Sequence, residues 1–357
     1  MYQALYRKYR PKSFSDVAGQ EHITETLRRQ VSSGRLSHAY LFVGTRGTGK
    51  TSCAKILSRA VNCLEPADGN PCNKCIFCIG IDEGSILDVL ELDAASNNGV
   101  DDVRAMRDEA IYSPVSVNKR VYIIDEVHML SSPAFNALLK ILEEPPGHIM
   151  FILATTELHK VPATILSRCQ KFSFKRLSAE IIAKGLLKIA AGEGLTLTQD
   201  AAEKLAELAD GSMRDGISLL DQCASGKKID LAHVLDTIGL AGEEDLMQMV
   251  KAIAKNDITT VLSTLDKLYI GGKDMAALLS ELVGFIRDLL VTKIAPDSNL
   301  IGSGAARKEL SALADMFSNE RLLYCLSISK DAMFNLSRSG ISKLTIEICL
   351  IKMSAGD

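Results

Sequence analysis

Residues 44 to 51, GTRGTGKT, have the types and spacing of a phosphate-binding loop, G-x-x-x-x-G-K-[ST]. Glycines let backbone N–H groups wrap phosphate, Lys50 reaches the terminal phosphates, and the Thr51 hydroxyl can ligate Mg²⁺. A glycine-rich turn without a ligand is the alternative. However, an apolar run, HAYLFV, precedes the loop and a helical pattern follows it, which is the context of a nucleotide site. The sequence therefore predicts nucleotide binding by Gly44, Thr45, Arg46, Gly47, Thr48, Gly49, Lys50, Thr51 and Ser52.

Two adjacent carboxylates end a second apolar run, VYIIDE. Asp125, at the end of a buried strand, can hold Mg²⁺, and Glu126 can polarise a water molecule for attack on the γ-phosphate. The alternative is that one of the acids caps the next helix. Beside an intact phosphate loop the pair favours ATP hydrolysis, with Glu126 and Lys50 as catalytic residues.

Three further polar residues are candidates for sensing the γ-phosphate. Thr156 ends the run FILATT, although threonine is common at strand ends for ordinary reasons. Arg168, in LSRC, is a candidate arginine finger acting in trans, with a surface ion pair as its alternative. Arg214, in GSMRD, falls in the first turn of a helix capped by Ser212, where the helix dipole disfavours a cation unless an anion is near. Either Asp215 or a nucleotide phosphate could be that anion, and the second would make Arg214 report the nucleotide state.

Four of the nine cysteines lie close together in the pattern C-x8-C-x2-C-x2-C: Cys63, Cys72, Cys75 and Cys78. Four thiolates can close a tetrahedral zinc shell without an open position, which is typical of a structural site. Iron–sulfur ligation and free thiols are the alternatives; the first is disfavoured because the separate cysteine comes first and no Cys-Pro follows. We therefore predict a zinc-binding insertion at 63–78, outside the ATP chemistry. The other cysteines have apolar neighbours and are expected to be buried.

Alternating strand and helix patterns must position these groups. Further strands are predicted at LDVLELDA, KRVYIIDE and HIMFILATT, and helices around 101–110, 133–143 and 162–166. This alternation predicts an α/β domain, a parallel sheet with helices on both faces. After about residue 176 we expect only helices, with several over 178–240, one starting at Ser212, and a helical region over 243–357 with a loop near APDSNLIGSGAA. An apolar stripe over 279–290 has the spacing of one helix face, either core or a subunit contact.

Composition limits the class of protein. A chain of 357 residues has room for about two or three domains. Its 47% hydrophobic and 24% charged residues are typical of a soluble globular protein rather than a disordered one. No secretory signal and no apolar stretch of roughly 18 uncharged residues is visible, so a cytoplasmic location is predicted. The net charge of -3 hides a basic end, because residues 1–60 hold eleven Lys or Arg against three Asp or Glu.

Together these motifs resemble the AAA+ ATPases of the clamp-loader group, and specifically the gamma/tau family of bacterial DNA polymerase III. The resemblance runs over essentially all of the chain. It is carried by YRKYRPKSFSDVAGQEHI, HAYLFVGTRGTGKTS, the four cysteines, ELDAAS, VYIIDEVHMLS, FNALLKILEEPP, LATTE, ILSRCQ and GSMRD. The cysteine insertion, LLKILEEPP and SRC point to the bacterial family.

The resemblance implies three domains: an AAA+ nucleotide domain over 1–176, an all-α lid over 177–241 and an all-α collar over 242–357. It implies that Arg168 completes a neighbouring subunit's ATP site, that Thr156 is the first sensor and that Arg214 is the second. It also implies an adenine-side pocket around 6–11 and Val17, with Arg10 as a phosphate or ribose contact. The implied cofactors are ATP, Mg²⁺ and Zn²⁺.

In that family, ATP binding lets the ring open the sliding clamp and grip primed DNA, and hydrolysis releases the closed clamp for processive replication by DNA polymerase III. The implied partners are delta-type and delta-prime-type subunits in a pentameric ring, the sliding clamp and primed DNA without sequence specificity, and no membrane. The helix start near residues 96–98 and the basic N-terminal region are candidate DNA contacts. Family members often continue into a tail that meets polymerase and helicase, so a short form or a truncated chain is expected, without a polymerase active site.

Two other functions remain open. A branch-migration motor would share the phosphate loop but would have no reason to carry the cysteine cluster. A non-hydrolysing scaffold subunit would usually show a damaged loop or a missing acid. ATP hydrolysis stimulated by DNA and the clamp would separate these functions from a clamp loader.

Overall fold

A computed structural model describes residues 3–296, 307–336 and 342–355, and the chain divides into two compact units, Met1–Ile229 and Asp230–Asp357. The first unit contains a parallel sheet with helices. The second is helical over its described residues. No helix in these three ranges is long and apolar enough to cross a membrane. The predicted α/β class followed by helical regions is confirmed, whereas the three predicted domain boundaries stay predictions.

The first unit is built on a five-stranded sheet in which every neighbouring pair is parallel. Its strands are β1 (Ala39–Val43), β2 (Val89–Asp93), β3 (Arg120–Asp125), β4 (Ile149–Thr155) and β5 (Gln170–Ser173). The order is β2-β3-β4-β1-β5, so β1 lies between β4 and β5. The four predicted strands are present. The fifth, QKFS, was missed because it is a short edge strand with only Phe172 buried.

Helices cover both faces of this sheet, and the predicted helices near 101–110, 133–143 and 162–166 are confirmed. Those of the sheet region are α1 (Leu5–Lys8), α2 (Glu21–Ser33), α3 (Lys50–Asn62), α4 (Ile76–Glu83), α5 (Val100–Ala110), α6 (Ser132–Glu143) and α7 (Ala163–Leu166). Three helices follow: α8 (Ala179–Gly192), α9 (Gln199–Leu208) and α10 (Met213–Cys223). The expectation of helices alone after residue 176 was wrong, because β6 (Thr196–Leu197) and β7 (Lys228–Ile229) form a small parallel pair.

Side chains alternate between two apolar layers, as the two-residue period of a strand requires. Leu41, Tyr122 and Phe151 belong to the layer that includes residues of α5 and α6. Tyr40 and Phe42 belong to the opposite layer, with residues of α2 and α3. Both layers are buried, which explains why these strands read as continuous apolar runs.

The second unit has seven described helices. They are α11 (Leu231–Ile238), α12 (Glu243–Ala254), α13 (Ile258–Ile270), α14 (Met275–Ile294), α15 (Arg307–Ala314), α16 (Asn319–Leu336) and α17 (Ser342–Ala355). The apolar stripe predicted over 279–290 lies on α14, and its residues Leu279, Leu282, Ile286 and Leu289 are buried in the core of this unit. Val283 and Leu290 of the same stripe are partly buried against that core, so most of the stripe is core. The loop predicted near 295–306 falls, from residue 297, outside the described residues.

A buried carboxylate fixes the segment that leads into β3. Asp88 accepts hydrogen bonds from the backbone N–H groups of Val115 and Ser116, both at 3.0 Å, and pairs with Arg120 at 3.0 Å. Burial raises the pKa of Asp88, but the hydrogen bonds from Ser116 and Arg120 outweigh it, so the pKa is lowered. The folded state therefore favours the ionised carboxylate.

We expect Asp88→Asn to lower the free energy of unfolding by about 3 to 5 kcal/mol at neutral pH, because it leaves the Arg120 side chain, which is only 12% exposed, without its anion. The folded pKa lies below the unfolded one, so this stabilisation is present above the unfolded pKa of about 3.9 and is lost as pH falls through the folded pKa. The difference in the free energy of unfolding between wild type and variant should thus stay constant at higher pH and decrease in acid. Urea denaturation across pH measures it.

Asp68→Asn is the matched control, because Asp68 is exposed and forms a long ion pair with Arg28, at 3.6 Å. A surface pair of this kind contributes about 0 to 1 kcal/mol. Equal losses in the two variants would contradict the role given to Asp88.

Candidate active site and metal centre

The predicted phosphate loop connects β1 to α3. β1 ends at Val43 and α3 begins at Lys50, so the first N–H groups of that helix face the loop. Gly47 and Gly49 have φ values of +77° and +105°, which L side chains rarely adopt. Lys50 is buried, and its Nζ donates to the carbonyl oxygens of Gly44 at 2.8 Å and Thr45 at 2.9 Å. Burial lowers the pKa of Lys50, against the opposing fields of Glu126 and Asp125.

The acidic pair lies beside this loop. Asp125 ends β3, and its Oδ2 accepts a 2.7 Å hydrogen bond from the hydroxyl of Thr51 on α3. A hydroxyl and a carboxylate that converge in this way are the oxygen ligands that Mg²⁺ prefers. The residues present therefore fit a magnesium ion held between the phosphate loop and the acidic strand.

The next residue, Glu126, follows β3, and its side chain is hydrogen-bonded to Thr156, which follows the neighbouring strand β4. Its Oε2 accepts hydrogen bonds from the Thr156 hydroxyl at 2.9 Å and from the Thr156 backbone N–H at 3.2 Å. Its backbone is left-handed, with φ of 47°, a conformation that is uncommon for a residue with a side chain. The alternative of helix capping is not seen for Glu126, because its side chain makes no cap hydrogen bond.

Arg214 lies near the phosphate loop from the side of α10. Ser212 caps this helix, accepting a 3.2 Å bond from the N–H of Asp215, as predicted. The Arg214 guanidinium lies 5.0 Å from the centre of the Tyr6 ring. A Cβ at Gly47 would lie 1.8 Å from the Ser212 Oγ, so the loop and the start of α10 are in close contact.

Arg168 is bound elsewhere in the same unit. Its guanidinium pairs with Glu143 at 2.8 Å and donates to the carbonyl oxygen of Thr164 at 2.8 Å, and the side chain is one third exposed. This surface pair is the alternative that the sequence left open. An exposed guanidinium is also accessible to another subunit.

The remaining predicted contacts differ in burial. Val17 is buried, and its Cγ1 would lie 3.3 Å from a Cβ at Gly49, so it packs against the loop. Thr48 is buried, whereas Arg10, Thr45 and Arg46 are exposed. Ser52 is partly buried on α3, together with Thr51. The predicted DNA-contacting helix start near residues 96–98 precedes α5, which begins at Val100.

The four clustered cysteines converge. The sulfur atoms of Cys63, Cys72, Cys75 and Cys78 all lie within 4.8 Å of one another. Zinc–sulfur bonds of about 2.3 Å place the sulfurs of a tetrahedral shell about 3.8 Å apart, so the four need only a small contraction to bind zinc.

Backbone N–H groups point at three of these sulfurs: Cys72 N–H at Cys63, Cys75 N–H at Cys72 and Cys78 N–H at Cys75, at 3.2 to 3.4 Å. Burial opposes ionisation of Cys75, but backbone bonds from Leu64 and Cys78 outweigh it and lower the pKa of this thiol to about 6, whereas burial raises the pKa of Cys63 and Cys78. The donor set and its hydrogen bonds thus fit a metal that binds thiolate.

Two residues near the site were missed from the sequence. His128 lies between Glu126 and Glu157, and Gln20 is fully buried. The Gln20 amide donates to the carbonyl oxygen of Lys175 at 2.8 Å and accepts from its N–H at 3.2 Å. The contacts of Gln20 with Lys175, and of His128 with Thr155 and Glu157, join residues that are distant in sequence, so no local pattern could reveal them.

Three family models match consecutive parts of the chain. "DNA polymerase III, delta subunit" matches residues 19–178, "DNA polymerase III clamp loader subunit, ATPase lid domain" matches 181–227, and "DNA polymerase III subunits gamma and tau domain III" matches 229–356. Together they cover the sheet, the helices that follow it and the second unit.

Curated relatives are similar over most of the chain. DNA polymerase III subunit tau of Bacillus subtilis (strain 168) is 50% identical over 297 residues, which are 83% of this chain and 53% of the relative. The subunit tau of Escherichia coli (strain K12) is 41% identical over 311 residues, 87% of this chain and 48% of the relative. The chain thus spans about half the length of these relatives.

A solved structure of the Thermotoga maritima RuvB Holliday junction branch migration motor has a TM-score of 0.49 at 19% identity, over 70% of this chain and 80% of that one.

Proposed function

Because the chain belongs to the gamma/tau family of DNA polymerase III subunits, we propose that it is an ATPase subunit of the bacterial replicative clamp loader. The observation that carries the proposal is the 2.7 Å hydrogen bond between Thr51 and Asp125, which joins the phosphate loop to the acidic strand. ATP binding and hydrolysis would drive the opening of a sliding clamp and its loading onto primed DNA. The proposed place of action is the cytoplasm.

The residues of the first unit suit hydrolysis of ATP. Backbone N–H groups of the loop and the start of α3 would hold the phosphates, and Lys50 would turn from the carbonyls of Gly44 and Thr45 toward them. Thr51 and Asp125 would hold Mg²⁺, which supplies charge neutralisation when it is bound. Glu126 would polarise the attacking water, with Thr156 beside the same carboxylate.

The two arginines would act from outside the loop. Arg214 would contact the nucleotide from α10, where its present partner is the Tyr6 ring. Arg168, whose present partner is Glu143, would reach the ATP site of a neighbouring subunit. This trans contact requires a neighbouring subunit, and we propose a pentameric ring with delta-type and delta-prime-type subunits. We also propose a lid domain over 177–241 and a collar domain over 242–357.

We also propose that the four cysteines bind zinc in a structural site. The cluster includes the N-cap of the short helix α4 and contains no evident catalytic group. A metal would hold together a segment that is too small for a core of its own.

We expect the purified protein to contain about one zinc ion for each chain, and chelation or a Cys72→Ser/Cys75→Ser change to lower the thermal denaturation temperature. The reason is that structural zinc contributes about 10 to 16 kcal/mol of apparent binding free energy in small domains. Metal analysis and thermal denaturation measure both. Affinity for ATP should persist, since the cluster lies outside the proposed chemistry.

Cys53→Ala is the control, because Cys53 is buried on α3 and is not one of the four clustered cysteines. Its zinc content should equal that of wild type. Near-stoichiometric iron with visible absorbance would overturn the assignment of zinc.

The proposed function is tested by ATP hydrolysis of the full protein assembled with its delta-type and delta-prime-type partners. A clamp loader should hydrolyse ATP faster when primed DNA and the sliding clamp are both added. Lack of any stimulation would favour a motor or a scaffold instead. Lys50→Ala serves as the inactive control, since Lys50 is the loop's cationic contact to phosphate.

A further inference from the structure

We propose that His128 is a positioning residue for Glu126, so that its imidazole fixes the carboxylate that polarises water. The inference rests on the proposed ATPase function and goes beyond it, because no motif assigns a role to this histidine. Its side chain is only 6% exposed, whereas Glu126 is 31% exposed. A hydrogen bond from a buried imidazole is stronger than one from water, so it can fix the orientation of a partly exposed carboxylate.

One ring nitrogen faces Glu126. The Nδ1 of His128 lies 3.0 Å from the Thr155 hydroxyl and 3.3 Å from the Glu126 Oε2. A carboxylate oxygen can only accept, so the contact with Glu126 is attractive when Nδ1 carries a hydrogen. The same Oε2 accepts both bonds from Thr156. Histidine and threonine therefore hold one oxygen of Glu126 from two directions, which leaves the other carboxylate oxygen for water.

The other ring nitrogen faces a second acid. The Nε2 of His128 lies 3.3 Å from Glu157 Oε1, and Glu157 also pairs with Lys160 at 2.9 Å. The Thr155 hydroxyl accepts a 3.0 Å bond from the Glu157 backbone N–H. Both ring nitrogens thus face acceptors, and the two carboxylate contacts are attractive together only when each nitrogen carries a hydrogen.

The backbone brings the two side chains together. Glu126 has left-handed backbone angles and precedes the 3-10 helix Val127–Met129, which carries His128. Val127 between them is fully buried. The turn therefore sends Glu126 and His128 to the same side, toward the end of β4, and a local strain is retained at a proposed functional site.

Three variants distinguish the roles of the two ring nitrogens of His128. An asparagine amide reaches the place of Nδ1, and a glutamine amide reaches the place of Nε2. We expect His128→Ala to lower kcat about 10-fold to 100-fold, as for groups that orient a metal-site ligand, with KM for ATP unchanged. His128→Asn should recover most of that loss, and His128→Gln should not. The assay is stimulated ATP hydrolysis by the full protein in its assembled complex, with thermal denaturation as a check on folding.

A double variant tests whether His128 acts through Glu126. Added to Glu126→Gln, His128→Ala should cause no further loss of kcat, because the carboxylate it positions is already absent. Equal activity of the Asn and Gln variants, or a further loss in the double variant, would overturn the inference. The two proposals fail differently: full turnover by Glu126→Gln removes the proposed catalytic role, whereas full turnover by His128→Ala alone removes only the positioning role.

Discussion

Glu126→Gln is expected to bind ATP as tightly as wild type and to hydrolyse it about 10²-fold to 10⁴-fold more slowly, the usual contribution of a general base. Glutamine keeps the size of glutamate and an oxygen that can accept from Thr156. Its amide lacks the charge and basicity needed to polarise water. The measurements are equilibrium binding of ATP and stimulated phosphate release by the assembled complex.

Glu91→Gln is the control for this prediction. Glu91 lies on β2 and pairs with Lys55 of the phosphate-loop helix, so its loss removes a carboxylate near the same helix. Its turnover should stay close to that of wild type. Normal turnover by the Glu126 variant would remove Glu126 from its proposed role.

Gly47→Ala is expected to weaken ATP binding strongly and to lower the free energy of unfolding by about 2 to 5 kcal/mol. A left-handed backbone costs an L residue about 1 to 2 kcal/mol, and overpacking adds about 1 to 3 kcal/mol. The added Cβ would lie 1.8 Å from the Ser212 Oγ and 2.8 Å from its Cβ, so the loop or the start of α10 must move. ATP titration and urea denaturation measure the two effects.

Gly34→Ala provides a matched control. Gly34 has φ of +67°, close to the +77° of Gly47, but no atom lies within 4 Å of its added Cβ. It should therefore show the backbone strain without the collision, and ATP affinity should not change. Equal destabilisation of the two variants would mean that contact between the loop and Ser212 adds nothing.

Local patterns were sufficient to predict the strands and helices that carry the phosphate loop and the acids. Apolar runs mark buried parallel strands. The glycines and the helical pattern after them show where the loop begins and ends. The same patterns failed for β5, β6 and β7. These strands have two to four residues, too few to establish a period, and their pairing depends on partners distant in sequence.

The chemistry of the site was predictable by residue type, but its contacts were not. Glu126 and Thr156 were both predicted, yet their 2.9 Å hydrogen bond depends on the order of strands in the sheet. His128 was overlooked for the same reason, since its partners Thr155 and Glu157 lie at the end of a different strand, β4. The sulfur cluster was easier to predict, because its four ligands lie within sixteen consecutive residues, 63 to 78.

The position of β1 in the sheet has a consequence during synthesis of the chain. β1 precedes the phosphate loop directly, but its two neighbours are β4 and β5, with Ala39 beside Phe151 and Tyr40 beside Gln170. A ribosome must therefore release more than a hundred further residues before this strand can pair. The growing chain carries an apolar run without partners through that interval, which is the kind of segment that chaperones protect. A nucleotide site built on this strand would therefore form late, after β4 and β5 have emerged.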